Sequence, residues 1–271
     1  MKQDAARAAA SYDEAAVLAR ETGRRMAARL DLVKIAPGHV ADIGCATGDG
    51  IRELQRRYPA ALPLALDFAK PMLDAVRGHA PIMQRLRGKA PRMAQADVRA
   101  LPLAAGSIDL AWSNLMLHWL DDPRPAFAEL HRVLRVGGLL MFSMLGPDTL
   151  KELRAAAQKV GSGATPRRFL DMHDIGDMLV QAGFADPVMD MELITLTYRS
   201  QRGFLADQRR IGARGALLDR GHWRDWRRIL AAWERVDACL PASFEIVYGH
   251  AWKAAPTVAA DGRAIVRFAG R

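Results

Sequence analysis

The chain has 271 residues, half of them hydrophobic and a quarter charged, which is enough apolar material for a full core and leaves little room for extended disorder. Its longest apolar run, residues 138–146, falls well short of the roughly 20 residues a membrane span needs, so a cytoplasmic protein without membrane association is expected. Two cysteines, Cys45 and Cys239, cannot build a disulfide framework and lack metal-ligand spacing, so neither a structural disulfide nor a metal is expected.

Lys and Arg outnumber Asp and Glu by 39 to 30, for a formal charge of +9. The excess is concentrated. Residues 199–235 carry ten arginines and no lysine against four acids, which marks a segment suited to an acidic partner.

Ser11 and Glu14 have the spacing of a capping box, and the Ala/Leu/Arg-rich stretch after them predicts a helix to residue 32. Strand-like and helical patterns then alternate: strand 39–45, helix 50–58, strand 62–68, helix 71–78, strand 92–97, strand 108–114, helix 123–134 and strand 139–145. That alternation predicts a Rossmann-like α/β core with a mostly parallel sheet. A helix over 148–160 leads to a Gly/Pro-punctuated loop at 161–166, followed by helix 171–182, strand 187–198, helices 200–213 and 223–239, and a last strand at 243–252. Trp226 and Trp233, seven residues apart, are expected to pack in the core. The expected organisation is a single domain: an N-terminal helical cap (1–38), a cofactor-binding core (39–160), a helical lid insertion (199–240) and the last strand (243–254).

In a doubly wound sheet, ligands bind beyond the carboxyl ends of the strands. The first such end reads Asp42-Ile43-Gly44-Cys45-Ala46-Thr47-Gly48. Gly44 and Gly48 permit a tight turn and close backbone approach, and Asp42 can attract a cationic ammonium directly or through water. The G-x-G-x-x-G spacing of nicotinamide sites fails here, because Ala46 and Asp49 occupy the second and third glycine positions. An acid at Asp49 also repels pyrophosphate, so the loop suits a ligand without phosphate. Asp67, ending the second strand, can accept hydrogen bonds from both ribose hydroxyls, and Asp97 can accept the exocyclic amino hydrogen of adenine beside apolar Val98. Asn114 and His118 follow the fourth strand and sit beside the reactive end of such a ligand.

The glycine turn with Asp67, Asp97 and Asp109 resembles the class I methyltransferases over about the first 150 residues, departing at Ala46, where that family usually has Gly. Segments 8–13, 113–119, 146–154, 171–177, 211–214 and 248–252 further resemble the malonyl-acyl carrier protein O-methyltransferases of biotin synthesis, almost end to end. A mitochondrial complex I assembly factor that hydroxylates arginine is similar in several of the same segments. The resemblance implies a seven-stranded sheet with a helical lid and S-adenosylmethionine bound at Asp42, Gly44, Ala46, Gly48, Asp67, Asp97, Val98 and Asn114. It also implies an acidic acyl carrier protein bearing a malonyl thioester as partner, and Tyr12 and His118 as groups orienting the substrate. Arg209, Arg210 and Arg214 become candidates to hold a carboxylate, a phosphopantetheine phosphate or acidic carrier side chains. Nucleic acid is disfavoured, since no RNA-binding module or Asn-Pro-Pro-Tyr motif is present.

Overall fold

The computed structural model describes residues 11–80, 89–213, 217–218 and 221–255. Among them, β1 (His39–Ile43), β2 (Leu62–Asp67), β3 (Arg92–Gln95), β4 (Ile108–Asn114), β5 (Leu134–Leu145), β6 (Phe184–Tyr198) and β7 (Leu240–Lys253) form one seven-stranded sheet. The order is β3-β2-β1-β4-β5-β7-β6, with β7 antiparallel to both its neighbours and the remaining pairs parallel. The chain reverses its direction of travel at β1, between β2 and β4, which opens the ligand crevice above the carboxyl ends of these strands.

The helices are α1 (Tyr12–Ala15), α2 (Val17–Arg29), α3 (Asp49–Arg57), α4 (Lys70–His79), α5 (Arg124–Val133), α6 (Lys151–Lys159), α7 (Met172–Gln181), α8 (Gln201–Arg210) and α9 (Trp223–Ala232). They cover both faces of the sheet because β1, β4 and most of β5 are buried on both sides. Met26, Ile51, Leu54, Leu153, Phe204 and Ile229 bring α2, α3, α6, α8 and α9 onto one core cluster. Phe127, Leu130, Ile175 and Leu179 bring α5 and α7 onto the other. Trp226 and Trp233 are both buried in the first cluster, and the Trp233 indole donates to the Pro241 carbonyl at 2.9 Å.

Four boundaries differ from the sequence expectation, each for a local reason. The single helix expected to residue 32 breaks at Ala16, and the Ser11 side chain makes no cap hydrogen bond, so α1 is a separate turn. Helix 223–239 stops at Ala232: Asp237 and Ala238 adopt positive φ (47° and 63°) while Val236 and Cys239 exchange backbone hydrogen bonds, forming a tight turn that feeds β7. Strand β5 starts at Leu134, five residues before the expected 139, because the chain passes through Gly137 at φ 76° and resumes pairing after a register shift. Strand β6 starts at Phe184 and carries Pro187 at a bulge between Ala185 and Val188, tolerated because β6 is an edge strand.

Candidate active site

The carboxyl ends of β1 to β4 open into a cavity of about 450 Å³, lined on its far side by α1, the start of α2, α8 and the end of β6. Gly44 leaves β1 at φ 77°, its N–H bonded to the Leu66 carbonyl at 2.8 Å. A Cβ there would collide with the Met116 side chain, so both conformation and space require glycine. Ala46 also holds a positive φ, 44°, and its N–H donates to Asp67 Oδ2 at 3.0 Å. The other Asp67 oxygen accepts the Ala69 N–H at 2.8 Å. Asp67 therefore ties the glycine turn to the end of β2 while facing the cavity, 7 % exposed. Burial raises its carboxyl above the ordinary range, opposed by the backbone N–H groups it accepts from. A carboxylate has about four lone-pair sites, so acceptor capacity remains for ribose hydroxyls.

Val98 is buried in the cavity wall beside Ala96 and Leu101, an apolar surface suited to a flat base. Asp97 lies next to it, half exposed and chelating Arg99: Nε donates to Oδ1 at 3.0 Å and an Nη to Oδ2 at 2.6 Å, with the Arg99 N–H also on Oδ1. An amino group binding here shares an oxygen with Arg99, a residue the sequence did not single out.

Asn114 is in the lining, but its amide is spent on structure. Nδ2 donates to the Ala19 carbonyl of α2 at 2.8 Å, and Oδ1 accepts from Ser143 Oγ at 2.8 Å, so Asn114 fastens the N-terminal helix to the sheet. His118 sits in a 3₁₀ turn (Leu117–Trp119), buried edge-on against Phe169 with ring centroids 5.6 Å apart. Burial, and secondarily the Arg167 guanidinium, push its pKa down to about 3, and Nδ1 has no hydrogen-bond partner. Tyr12 enters the lining from α1, its hydroxyl pushed well above the ordinary range by burial and then by Asp67 and Asp49.

The structure does not bring Asp42 or Gly48 to the cavity wall. Asp42 lies beneath the turn, 2 % exposed, where the Ile51 N–H of α3 bonds it and Oδ2 has no partner. It packs so close to Gly50 that a Cβ there would be 2.6 Å from Oδ2 and 2.8 Å from the Trp112 indole nitrogen. Asp42, expected to attract a ligand's ammonium directly or through water, therefore stands behind the cavity wall and not in it. Gly48, at φ 94°, provides the left-handed residue that starts α3 and faces Val76 and Ile51.

Burial raises the Asp42 pKa from its ordinary 3.8 to about 7. The folded protein then binds this proton more tightly than the unfolded chain, so Asp42 contributes stability that is full below about pH 4 and lost as pH rises through about 7. Asp42→Asn should remove that decline. Urea denaturation of the two proteins at acid and alkaline pH should show a gap in favour of the variant that widens with pH by roughly 1–3 kcal/mol. A constant gap would contradict it.

The arginine candidates lie elsewhere. Arg209 and Arg210 are exposed on the outer side of α8, with an Arg210 Nη 4.0 Å from Glu14 Oε2 of α1, and neither lines the cavity. Of the expected candidates for a carboxylate, a phosphopantetheine phosphate or acidic carrier side chains, Arg209 and Arg210 thus stand outside the cavity; Arg214 lies outside the described residues. The cavity instead takes Tyr198, Asp207, Gln208 and Phe244 from β6, α8 and β7, none anticipated from the sequence. Gln208 carried a signal: it follows Phe204 by four residues, which puts an amide on the buried face of α8. Among the described residues there is no metal-binding cluster and no helix long and apolar enough to cross a membrane. Both cysteines are free.

The sheet order and the glycine turn at the end of β1 are those of a class I methyltransferase, and a methyltransferase domain model matches residues 41–142. Among solved structures, the YcgJ protein of Bacillus subtilis superposes with a TM-score of 0.61 at 14% identity, over 86% of this chain and 99% of that one. Phosphoethanolamine N-methyltransferase 2 of Haemonchus contortus, in complex with S-adenosylhomocysteine, gives 0.52 at 16% identity, over 86% of this chain and 52% of that one. At these identities the likeness establishes the fold alone.

Sequence relatives go further. The malonyl-acyl carrier protein O-methyltransferase of Gallionella capsiferriformans is 50% identical over 98% of this chain and 94% of its own length. That of Laribacter hongkongensis is 50% identical over 97% and 92%, and that of a Methylovorus species 48% over 98% and 92%. The chain belongs to the malonyl-acyl carrier protein O-methyltransferase family.

Proposed function

We propose that this protein transfers the methyl group of S-adenosylmethionine to the free carboxylate of a malonyl thioester on acyl carrier protein, an early step of biotin synthesis. The observation that carries this reading is half-identity to relatives of that name along nearly the entire chain. S-adenosylmethionine, when bound, supplies a methyl group on a cationic sulfur; the carboxylate takes the methyl and the C–S bonding pair returns to sulfur. Asp67 would hold the ribose, and Val98 with Asp97 would receive the adenine. Gly44, Ala46 and Gly48 shape the turn that would receive the methionine portion, with Asp42 behind that turn and Asn114 fastening α2 to the sheet. Tyr12 and His118 orient the malonyl group.

No general base is required, because a carboxylic acid with a pKa near ~4 is ionised at neutral pH. The residues' task is to align the carboxylate and to exclude water, a task to which α1 and α8, both in the cavity lining, are placed to contribute. Residues 199–240 act as the lid, and the cytoplasm is the compartment where this substrate is met. The reading is tested by supplying methyl-labelled S-adenosylmethionine with malonyl-carrier protein, RNA and arginine-bearing protein in parallel. Base-labile label on the malonyl-carrier protein alone is expected; label on either of the others overturns it.

The exposed arginines suit docking of an acidic carrier rather than substrate binding inside. Arg209→Glu combined with Arg210→Glu should raise the carrier-protein KM by roughly tenfold and leave the S-adenosylmethionine KM unchanged, while wild-type turnover falls as salt screens the encounter. A KM insensitive to both would place docking elsewhere.

A further inference from the structure

Helix α1 carries Tyr12 into the cavity wall, yet the core does not fix where that helix stands. It is a single turn with no fully buried residue, set apart from α2 by the break at Ala16, and a lone turn of helix has little stability of its own. Tyr12 packs on the small cluster of Ala69 and Met72, as do Ala46 and Phe68. Apolar contact of this kind is non-directional and leaves the ring's register to be set by something else.

The neighbouring residue supplies a directional link. Asp13, half exposed, accepts the hydroxyl of Thr47 at 2.5 Å, and Thr47 is 1 % exposed within the glycine turn. The Thr47 carbonyl accepts an Arg52 Nη of α3 at 3.0 Å. His79 of α4 completes the cluster, its Nδ1 3.2 Å from that carbonyl and its Nε2 3.7 Å from Asp13 Oδ2. Arg20 of α2 donates to the Asp13 carbonyl. Thr47 stands between Ala46 and Gly48, whose positive φ values of 44° and 94° fix the path of the turn. Ala46 in turn donates to Asp67. One turn is thus tied to the ribose acceptor through Ala46 and to α1 through Thr47.

We infer that Asp13 is a positioning residue for the methyl transfer, whose hydrogen bond from Thr47 registers Tyr12 against the turn that receives the cofactor. This rests on the proposed role of Tyr12 in orienting the malonyl group. A hydroxyl donating to a carboxylate is short, directional and charge-assisted, so it sets distance and angle where apolar packing sets neither. Thr47 has a single hydroxyl proton, and it is committed to Asp13. Adjacent Cα atoms are held a fixed distance apart by the rigid peptide, so a displacement of Asp13 is passed to Tyr12 nearly undiminished. An orienting group moved by about 1 Å can cost about 100-fold in rate, which gives a bond outside the cavity leverage over the reaction inside it.

The test uses the full-length protein with malonyl-carrier protein, and S-adenosylhomocysteine calorimetry and thermal unfolding as readouts independent of turnover. Asp13→Ala should lower kcat on the malonyl substrate by about 10- to 30-fold, with the S-adenosylhomocysteine Kd within about threefold of wild type. Thr47→Val keeps the shape and removes the hydroxyl, so it should reproduce that loss, and the double variant should be within about twofold of either single one. Asp13→Asn retains an acceptor oxygen and Thr47→Ser retains the donor; each should recover most of the activity. The deciding comparison is made in a Tyr12→Leu background, where Asp13→Ala should cost less than about twofold because no tyrosine remains to be placed. A residue that only stabilises the fold would lower the melting temperature and cost the same factor in both backgrounds. Asp13→Ala within about twofold of wild type, or its full loss repeated in the Tyr12→Leu background, overturns the inference. Should Asp13→Ala lose S-adenosylhomocysteine binding altogether, Thr47→Val in the two backgrounds decides in its place. A wild-type protein inactive on malonyl-carrier protein would overturn the functional reading and this inference with it, whereas an active wild type with an unaffected Asp13→Ala variant overturns the inference only.

Discussion

An Asp67→Ala variant is expected to bind S-adenosylhomocysteine at least about tenfold, and as much as about 100-fold, more weakly than wild type, the equivalent of roughly 1–3 kcal/mol. Two losses combine. The ribose hydroxyls lose a charged acceptor in a buried wall, and the Ala46 and Ala69 N–H groups lose theirs at 3.0 Å and 2.8 Å. The second loss matters for the turn, since Ala46 is held at positive φ without the freedom of glycine. The variant should therefore also melt at lower temperature. Asp67→Asn separates the two: its single amide oxygen can serve one of the two N–H groups, so its stability should fall between wild type and Ala. Calorimetric titration with unchanged affinity in the Ala variant would put the ribose elsewhere.

His118→Ala should lower kcat/KM for the malonyl substrate by about 10- to 100-fold through lost orientation, without changing the pH dependence of the rate. A histidine whose pKa is pushed down to about 3 stays neutral throughout the working range and cannot act as a base that titrates near neutrality. Its Nδ1 is buried without a hydrogen-bond partner. Asn places an amide near the Nδ1 position and Gln near Nε2, so His118→Asn should retain more activity than His118→Gln. A kinetic pKa near the ordinary 6.5 that disappears in His118→Ala would contradict this assignment. The stability consequence has the opposite sign to that of Asp42. Here the unfolded chain takes up the proton first, so the contribution is present above about pH 6.5 and is lost as pH falls toward about 3. His118→Asn should accordingly be less sensitive to acid.

How far the sequence disclosed this site depended on where each residue lies relative to the strands. Asp67, Val98 and the Gly44 turn could be found because strand ends are marked by a change from apolar runs to Gly or Asp, and topology places those ends at one crevice. The apolar runs of β1 and β4 likewise disclosed a sheet buried on both faces. Asp42 carried the same signal yet lies under the turn, because one residue's difference along a strand reverses the face and no periodicity reports depth. Asn114 was legible as a polar strand end but not as the clasp on Ala19, which requires knowing that α2 crosses above it. Tyr198 and Gln208 were hidden by distance: they follow β1 and β2 far along the chain, and only the antiparallel return of β6 along β7 brings them to the same cavity. The arginines drew attention through charge, although charge density marks an exposed face better than a cavity.

Mass spectrometry of the carrier protein tests the transfer from S-adenosylmethionine to a malonyl carboxylate most directly. After incubation of malonyl-carrier protein with S-adenosylmethionine and this protein, the phosphopantetheine arm should gain the mass of one methylene group, which mild base removes. Holo-carrier protein and acetyl-carrier protein, which lack the free carboxylate, should gain nothing. A mass gain of one oxygen, a methyl group on the polypeptide instead of the arm, or equal methylation of the acetyl form would contradict the assignment.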